Sequence, residues 1–465
     1  MSAVNWISRG VTLLRPGFEK PSAGAAREAK PRASATAVAP QPPAARSTRE
    51  RLQATWRHGQ EALSPRVLRR TLAELQAIVD PRVSEVEGGR RALAFAKWYR
   101  TASAEERRDA WLLASEQFGP DAKKIQSARE HFESAQGTPE EGAAEIRMRR
   151  ALVSPRTRLL QRFAAIPEGM RFLVDLRADL LPHLKGDKRL LPLDAELESL
   201  FSTWFDVAFL ELRRLSWDSP ASLLEKLIKY EAVHDIRSWS DLKNRLDSDR
   251  RCYGFFHPKL EGEPLIFVEV ALTDAVSDCI TPLLDESAAA ADHGKATTAI
   301  FYSISNTQAG LRGVSFGDSL IKRVVETLKS ELPRLKTFAT LSPIPGLRAW
   351  LAKNAPAEAL AKWEHPLDLG PRSAERQELL GWAARYLGKE LQEGKPVDPV
   401  ARFHLGNGAR VERINWAGDP SPKGVKQSYG LMVNYLYDPK RLDKHRALLS
   451  QGEIPIASAI EDLYL

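Results

Sequence analysis

Two side chains that could position a substrate or move a proton stand next to predicted strands in the C-terminal half of the chain. Ser342 ends a predicted strand, 336–342, and is followed by Pro-Ile-Pro-Gly, whose prolines restrict the backbone. His404 precedes an Asn407-Gly408 turn and a further predicted strand. A hydroxyl and an imidazole can together bind a substrate oxygen and transfer a proton. The plainer alternatives are a serine that only ends a strand and one of nine histidines without a role.

A glycine-bearing loop offers a place for an anion. Residues 306–316 join a predicted strand, 297–305, to a predicted helix over 317–332. Glycines let backbone N–H groups turn toward a ligand, and the helix N-terminus adds free donors, so a phosphate can bind there. Arg312 can add a fork of donors. The string Arg312-Gly-x-Ser-x-Gly resembles the acyl-CoA pyrophosphate loop of the GNAT acyltransferases, and an ordinary glycine-containing turn is the alternative.

Several other chemistries are excluded by what the chain does not contain. No two histidines have His-x-x-x-His spacing, and two cysteines, Cys252 and Cys279, cannot make a thiolate zinc site. The loop lacks the Gly-Lys-Ser/Thr ending of a P-loop, and no acidic ribose ligand stands at Rossmann spacing. We therefore expect a site that uses no metal.

Length and charge set the broad class. A chain of 465 residues with 43% hydrophobic and 28% charged residues predicts two or three domains with a sizeable core. No run of about 18 uncharged apolar residues predicts a membrane-spanning helix, so we expect no membrane partner. The net charge is +8, but residues 1–50 hold eight basic and three acidic residues and so carry most of it. We therefore expect no nucleic-acid partner.

Three regions follow from the local patterns. Residues 1–50 are rich in Ala and Pro and predict a disordered basic arm. Residues 51–230 show helical periodicity throughout, punctuated by Ser64-Pro65 and by capping boxes at Ser103 and Thr138, and predict a helical bundle. Residues 231–465 change to β-branched and aromatic runs at 264–273, 297–305, 336–342, 410–416 and 425–437. A strand, a helix at 317–332 and a further strand make a βαβ unit, so this domain is α/β with a mixed sheet.

The catalytic region resembles the malonyl-CoA decarboxylase family. The similarity runs in order from about residue 230 to 440, and the helical region before it matches the family's helical N-terminal domain in character. The segments that carry it are Arg251-Cys-Tyr253, Gly262-Glu-Pro-Leu265, Val270-Ala-Leu-Thr273, Ala299-Ile-Phe-Tyr-Ser-Ile-Ser305, Gly310-Leu-Arg-Gly-Val314, Leu320-Ile-Lys-Arg-Val-Val325, Leu341-Ser-Pro-Ile-Pro-Gly346, Phe403-His-Leu405, Asn407-Gly-Ala409, Arg413-Ile-Asn-Trp416 and Gly430-Leu-Met-Val-Asn-Tyr435.

The resemblance implies a GNAT-like catalytic domain that converts malonyl-CoA to acetyl-CoA and carbon dioxide without a metal or an organic cofactor. It implies a Ser–His catalytic pair, which falls on Ser342 and His404, and both side chains would also contact the substrate. The family's malonyl-CoA-binding loop falls on seven residues: Arg312, Gly313, Val314, Ser315, Phe316, Gly317 and Asp318. The family is commonly acidic at the position of Ser315, so a role that needs a carboxylate does not transfer. Tyr437, after the last predicted strand, could reach the same cleft.

The expected mechanism stabilises an enolate and then protonates it. His404 would be the general acid, helped by the near-neutral pKa of an ordinary histidine. Ser342 would contact the malonyl carboxylate or the thioester oxygen, either as a hydrogen-bond partner or in proton transfer. Two other functions remain open: an acyltransferase that passes an acyl group from CoA to an amine, and a CoA-binding sensor or scaffold without turnover.

Assembly and location are also expectations from the resemblance. The family's habit and the long helical region favour a homotetramer built through the helical domain. The chain ends Asp462-Leu-Tyr-Leu465 and has no peroxisomal Ser-Lys-Leu terminus. We expect a cytoplasmic protein involved in fatty-acid and malonate metabolism, with the mitochondrial matrix as the alternative.

Overall fold

The computed structural model describes residues 47–53, 62–314, 316 and 320–464. The chain divides into two compact units, one of Thr12–Arg156 and one that contains Thr157–Leu465. Almost all of the expected disordered arm, 1–50, lies outside the described residues. Its last three residues already belong to the first helix of the structure.

The described part of the first unit contains helices and no strand. Ser64 accepts a hydrogen bond from the Val67 N–H at the start of one helix, and Ser103 forms the predicted capping box with Glu106. The Thr138 box is wrong, because that helix begins at Glu141 and has no side-chain cap. The helices are α1 Thr48–Gln53, α2 Pro65–Val79, α3 Glu85–Thr101, α4 Ala104–Gln117, α5 Ala122–Ala135 and α6 Glu141–Leu152.

The second unit surrounds a mixed sheet with helices. Its helices are α7 Pro155–Ala165, which begins just before the unit boundary, α8 Gly169–Leu180, α9 Leu191–Trp204, α10 Ala221–Tyr230, α11 Trp239–Arg245, α12 Leu320–Glu331, α13 Leu347–Asn354, α14 Ala357–Lys362, α15 Ala374–Gly388, α16 Pro399–Gly406, α17 Pro422–Ser428, α18 Leu442–Ser450 and α19 Ser458–Glu461. Its strands are β1 Glu211–Leu215, β2 Arg250–Phe256, β3 Pro264–Thr273, β4 Thr298–Asn306, β5 Thr337–Thr340, β6 Ser342–Pro343, β7 Leu391–Gln392, β8 Lys395–Pro396, β9 Arg410–Asn415 and β10 Met432–Leu436.

The main sheet has the order β1-β2-β3-β4-β5-β10-β6 within the described residues, and β9 pairs with β10. Only β4 and β5 run parallel, and α12 connects them, so the predicted βαβ unit is confirmed. The apolar stripe of α12, which includes Leu320, Val324 and Leu328, is buried. The predicted class is confirmed as far as helices followed by a mixed-sheet α/β domain, and the GNAT likeness of that domain stays a prediction.

Two local predictions are wrong. β1 lies inside the region expected to be helical, because a five-residue strand that alternates between sheet faces is too short to interrupt a helical pattern visibly. The predicted strand 425–437 contains the end of a helix before β10. Ser421 caps α17 and Pro422 is its first residue, a helix-start signal that outweighs the apolar run that follows.

The sheet-bearing unit also starts earlier than the residue 231 expected from the sequence. α8 packs on the loop after β4 so closely that a Cβ atom on Gly310 would lie 1.9 Å from the Val174 carbonyl oxygen. Arg177 of α8 donates from Nη1 to the carbonyl oxygens of Gly310 and Arg312, at 2.9 Å each, and pairs with Asp194 at 2.8 Å. The loop predicted to bind an anion is therefore held from behind by a buried guanidinium.

Substitution of Gly310 tests this close approach. We expect Gly310→Ala to lower the free energy of unfolding by about 1–3 kcal/mol, because the methyl group must displace backbone atoms of α8. Gly370→Ala is the matched control, since no atom lies within 4 Å of its added Cβ atom. Urea unfolding of both variants measures the difference, and equal stabilities would contradict the packing.

Candidate functional site

Ser342 lies just beyond the point where the parallel pairing of β4 with β5 ends. The register of β4 and β5 ends at Phe301 and Thr340, and the Leu341 N–H still bonds to the Phe301 carbonyl at 3.0 Å. β5 and β6 both stay in one antiparallel register with β10, in which Ser342 pairs with Val433. Because its backbone belongs to a strand, the hydroxyl has a fixed direction, and the side chain is almost fully buried.

His404 comes from the last turn of α16 and meets Ser342 across the fold. Its Nε2 atom is 3.2 Å from the Ser342 Oγ atom, and its Nδ1 atom is 2.7 Å from the Tyr437 hydroxyl. The ring stacks on Tyr435, with 4.7 Å between ring centroids and 25° between planes. The structure therefore brings Ser342, His404 and Tyr437 together, although 95 residues separate the first from the last in sequence.

Hydrogen bonds continue beyond this trio. The Ser342 hydroxyl is 2.8 Å from Thr340 Oγ1, which also accepts the Tyr435 N–H at 3.1 Å. One arrangement of protons satisfies all of these hydrogen bonds: Tyr437 donates to Nδ1, the Nε2–H of His404 donates to Ser342, and Ser342 donates to Thr340. In this arrangement the Nε2–H points at the serine oxygen, and Thr340 accepts the serine's hydrogen bond and so orients its hydroxyl. No motif in the sequence indicated a role for Thr340.

Burial sets the charge of the site. It lowers the pKa of His404 to about 3, because the imidazolium would lose its hydration, so the ring is neutral at pH 7 in the free protein. Burial likewise raises the pKa of Tyr437, whose hydroxyl stays protonated. The expectation of a near-neutral histidine pKa is therefore wrong for the free protein. The sequence could not reveal this because the shift comes from the surrounding fold.

A cavity of about 750 Å³ opens onto the pair. Ser342 and His404 line it, as do residues 301–304 and 306 of β4, on the side where β4 no longer pairs with β5. Arg312, Lys395 and Arg402 are its basic lining residues, and no carboxylate is among the described residues that line it. Sequence reasoning missed Lys395 and Arg402, although they stand within nine residues of His404 in a segment with a single acidic residue, Asp398.

The predicted binding loop is only partly described. Arg312, Gly313, Val314 and Phe316 line the cavity. Gly313 has a φ of +82°, a conformation that favours glycine. The Phe316 carbonyl accepts the Val207 N–H at 2.9 Å, which ties down the far side of the loop. Three other residues of the predicted loop, Ser315, Gly317 and Asp318, lie outside the described residues.

The described residues offer neither a metal-binding cluster nor a membrane-spanning helix. In the described ranges, no group of three or more His, Cys, Asp and Glu side chains could hold a metal ion. None of the helices described there is long and apolar enough to cross a membrane.

Comparison with known proteins agrees over most of the chain. A family model described as the malonyl-CoA decarboxylase C-terminal domain matches residues 208–465, and one described as the N-terminal domain of the same enzyme matches residues 118–205. The mitochondrial malonyl-CoA decarboxylase of Anser anser anser is 37% identical over 400 residues, covering 75% of this chain and 78% of its own.

Solved structures give the same result. The malonyl-CoA decarboxylase of Rhodopseudomonas palustris is 41% identical with a TM-score of 0.76, and that of Agrobacterium vitis is 40% identical with a TM-score of 0.77. Each match covers 85% of this chain and 99% of the other. Since the C-terminal-domain model alone spans more than half of the chain and a relative matches at this identity, the chain belongs to the malonyl-CoA decarboxylase family of carboxy-lyases.

Proposed function

We propose that the protein converts malonyl-CoA to acetyl-CoA and carbon dioxide at the Ser342–His404 pair. The observation that carries the proposal is the 3.2 Å contact between these two side chains at the wall of a cavity with basic and no acidic lining residues. A malonyl thioester of CoA is an anion at both ends, so such a cavity suits it. Family membership supplies the substrate class.

The cavity also suits the middle of the substrate. Beyond Phe301, β4 is no longer paired with β5, so this edge of the strand faces the cavity without a strand beside it. The pantetheine arm of CoA carries two amides in an extended chain, and an extended amide chain can bond to a free strand edge. The phosphates would lie toward Arg312, Lys395 and Arg402, and the acyl group toward Ser342 and His404.

The chemistry needs one oxyanion stabilised and one proton supplied. The bond from the α-carbon to the carboxylate breaks, carbon dioxide leaves, and the electron pair delocalises into the thioester carbonyl as an enolate. The Ser342 hydroxyl turns its hydrogen from Thr340 to this oxygen, an interaction that is worth about 2.7–4 kcal/mol when it is made in the transition state. The Nε2–H of His404, as the imidazolium formed on substrate binding, then protonates the α-carbon and leaves a neutral ring. Charge and protons balance with these groups, and we propose that no metal or organic cofactor takes part.

The buried histidine is suited to this step because its pKa depends on the substrate. A malonyl carboxylate beside the ring favours the imidazolium and raises the pKa of His404 from its low value in the free protein. When the carboxylate departs as carbon dioxide, that stabilisation disappears while the burial stays. The imidazolium becomes a strong acid at the moment when the enolate needs a proton. The proton consumed by the overall reaction would thus enter with the substrate.

One incubation distinguishes the proposed decarboxylase from three other functions. Malonyl-CoA without an acceptor, followed by mass spectrometry, gives acetyl-CoA only from a decarboxylase. An acyltransferase needs an amine, and a CoA sensor gives no turnover. Gly313-Val-Ser-Phe-Gly317 also has the Gly-x-Ser-x-Gly spacing of a hydrolase elbow, and a thioesterase would release free CoA and malonate. Any CoA-containing product other than acetyl-CoA rejects the proposed reaction.

Removal of either side chain should stop the chemistry without unfolding the protein. We expect Ser342→Ala and His404→Ala to lower kcat by about 10²-fold or more while acetyl-CoA still binds, because each removes a transition-state contact. Ser330→Ala and His365→Ala, both at exposed positions, are the matched controls. Steady-state release of acetyl-CoA is the measurement, and a near-normal rate in either site variant would reject the assignment.

Proton uptake should accompany substrate binding. In the Ser342→Ala variant, which turns over slowly, we expect malonyl-CoA binding to take up a fraction of a proton that grows as the pH is lowered below 7, because the neighbouring carboxylate raises the pKa of His404 from about 3. Acetyl-CoA, which lacks the carboxylate, should take up none. Calorimetry in buffers of different ionisation enthalpy counts the protons, and Ser342→Ala combined with His404→Ala is the control. Equal uptake for both ligands would exclude the substrate-dependent pKa.

The basic lining residues should affect binding and not chemistry. We expect Arg402→Gln and Lys395→Gln each to raise the KM for malonyl-CoA about two- to fivefold with little change in kcat, because an exposed ion pair contributes up to about 1 kcal/mol. The effect should shrink as salt is added. Lys362→Gln, an exposed lysine of α14, is the control. Unchanged KM values at low salt would remove these residues from the phosphate site.

Assembly, domain roles and location complete the proposal. We propose that the helices at the start of the expected 51–230 domain form a homotetramer, and that catalysis belongs to the sheet-bearing unit, Thr157–Leu465, which contains the expected 231–465 domain. Light scattering of the purified chain tests the tetramer. We also keep the cytoplasm as the location, although the Anser anser anser relative is named mitochondrial, which supports the matrix alternative. Imaging of a C-terminally tagged chain in its own cells decides between the two.

A further inference from the structure

We propose that Asp398 is a positioning residue that joins the turn after Ser342 to the helix that carries His404. This inference rests on the proposed function of the pair. Ser342 belongs to β6 and His404 to α16, and the two elements are far apart in sequence. The short contact between their side chains therefore needs a link between the two backbones.

The Asp398 carboxylate makes that link with its two oxygens. Oδ1 accepts the N–H groups of Val400 and Ala401 at 2.9 and 3.0 Å and so caps the start of α16. Oδ2 accepts the Gly346 N–H at 3.2 Å and the Tyr386 hydroxyl at 3.3 Å. The side chain is fully buried. One group without access to water thus satisfies donors from three separate segments.

Both arms of the link are stiff. On one side, Pro343 and Pro345 restrict the three residues between Ser342 and Gly346. A Cβ atom on Gly346 would lie 2.1 Å from the Tyr386 hydroxyl, so only glycine lets this turn come close to Asp398. On the other side, α16 runs as regular helix from Asp398 to His404, a rise of about 9 Å. A shift at Asp398 would therefore be carried to both side chains of the pair.

Helix capping alone does not explain this arrangement. Asp121 caps α5 through one oxygen, which accepts the N–H groups of Lys123 and Lys124 at an exposed position. Asp398 makes the same cap with one oxygen and uses the second for Gly346 and Tyr386. Capping a helix needs only one carboxylate oxygen. The second oxygen of Asp398 serves only to connect α16 with Gly346 and Tyr386.

The test separates the cap from the bridge. Asp398→Asn keeps the size of the side chain, and its amide oxygen can still cap α16, but its NH2 group faces the Gly346 N–H and cannot accept from it. Asp398→Ser keeps a good capping oxygen that is too short to reach Gly346. Asp121→Ser and Asp121→Asn are the matched controls, and Tyr386→Phe removes one donor of the bridge if neither Asp398 variant folds.

We expect Asp398→Asn and Asp398→Ser to lower kcat at least about tenfold, while the KM for malonyl-CoA and the affinity and stoichiometry of acetyl-CoA stay within twofold of the wild type. Tyr386→Phe should lower kcat less, and the Asp121 variants should not change it. In crystal structures, the distance from Ser342 Oγ to His404 Nε2 should lengthen beyond hydrogen-bond range only in the Asp398 variants.

A fall in activity that only follows the acetyl-CoA stoichiometry, so that kcat per binding site stays at the wild-type value, overturns the proposal. So does a folded Asp398 variant that keeps kcat within twofold of the wild type, or a fall in kcat that the Asp121 variants share. If the wild type itself gives no acetyl-CoA, the proposed function fails, and the Ser342–His404 distance then decides the role of Asp398 alone. An unchanged distance overturns that role, and a lengthened one supports it.

Discussion

The end of the β4–β5 register at Phe301 and Thr340 is the constraint on which the candidate site depends. A strand that stays paired has no room for a ligand between it and its neighbour. Here the pairing with β4 ends after Leu341 while β5 and β6 stay paired with β10, which opens a gap on one side of β4 and places Ser342 at its edge. The cavity and the position of Ser342 thus both follow from the end of this one pairing.

Burial then determines the chemistry available at that edge. Stacking on Tyr435 and the contact with Tyr437 leave His404 almost without water, so desolvation lowers the pKa of the imidazole. A desolvated imidazolium gives up a proton readily once the charge that stabilised it has gone, and the proposed protonation of an enolate relies on this property. The basic residues of the cavity lie on its more exposed parts, where they can meet an anion without lowering the stability of the core.

Buried charged side chains hold the loops of the site in place. Arg177 fixes the loop after β4 through two carbonyl oxygens, and Asp398 satisfies donors from α16 and from the turn that follows β6. Each is almost without exposure and each has its hydrogen bonds filled by partners from distant segments. A buried charge is costly unless it is paired in this way, so these groups favour one arrangement of the loops over others.

Local patterns in the sequence were sufficient for the elements that short-range physics decides. The cap at Ser64, the capping box at Ser103 and the apolar stripe of α12 depend on residues within a few positions of one another. Ser342 and His404 were distinguished from other serines and histidines only by the family resemblance. Helix α17 was missed where two local signals competed, and β1 because a short strand carries little periodicity.

The tertiary structure decided everything that needs residues distant in sequence. The 3.2 Å contact of the pair, the low pKa of His404, the second oxygen of Asp398 and the clamp by Arg177 join segments 50 to 135 residues apart. Composition and spacing specify which groups are present and which local backbone they adopt. They do not specify which groups meet or how much water remains around them, because both depend on how the sheet orders its strands.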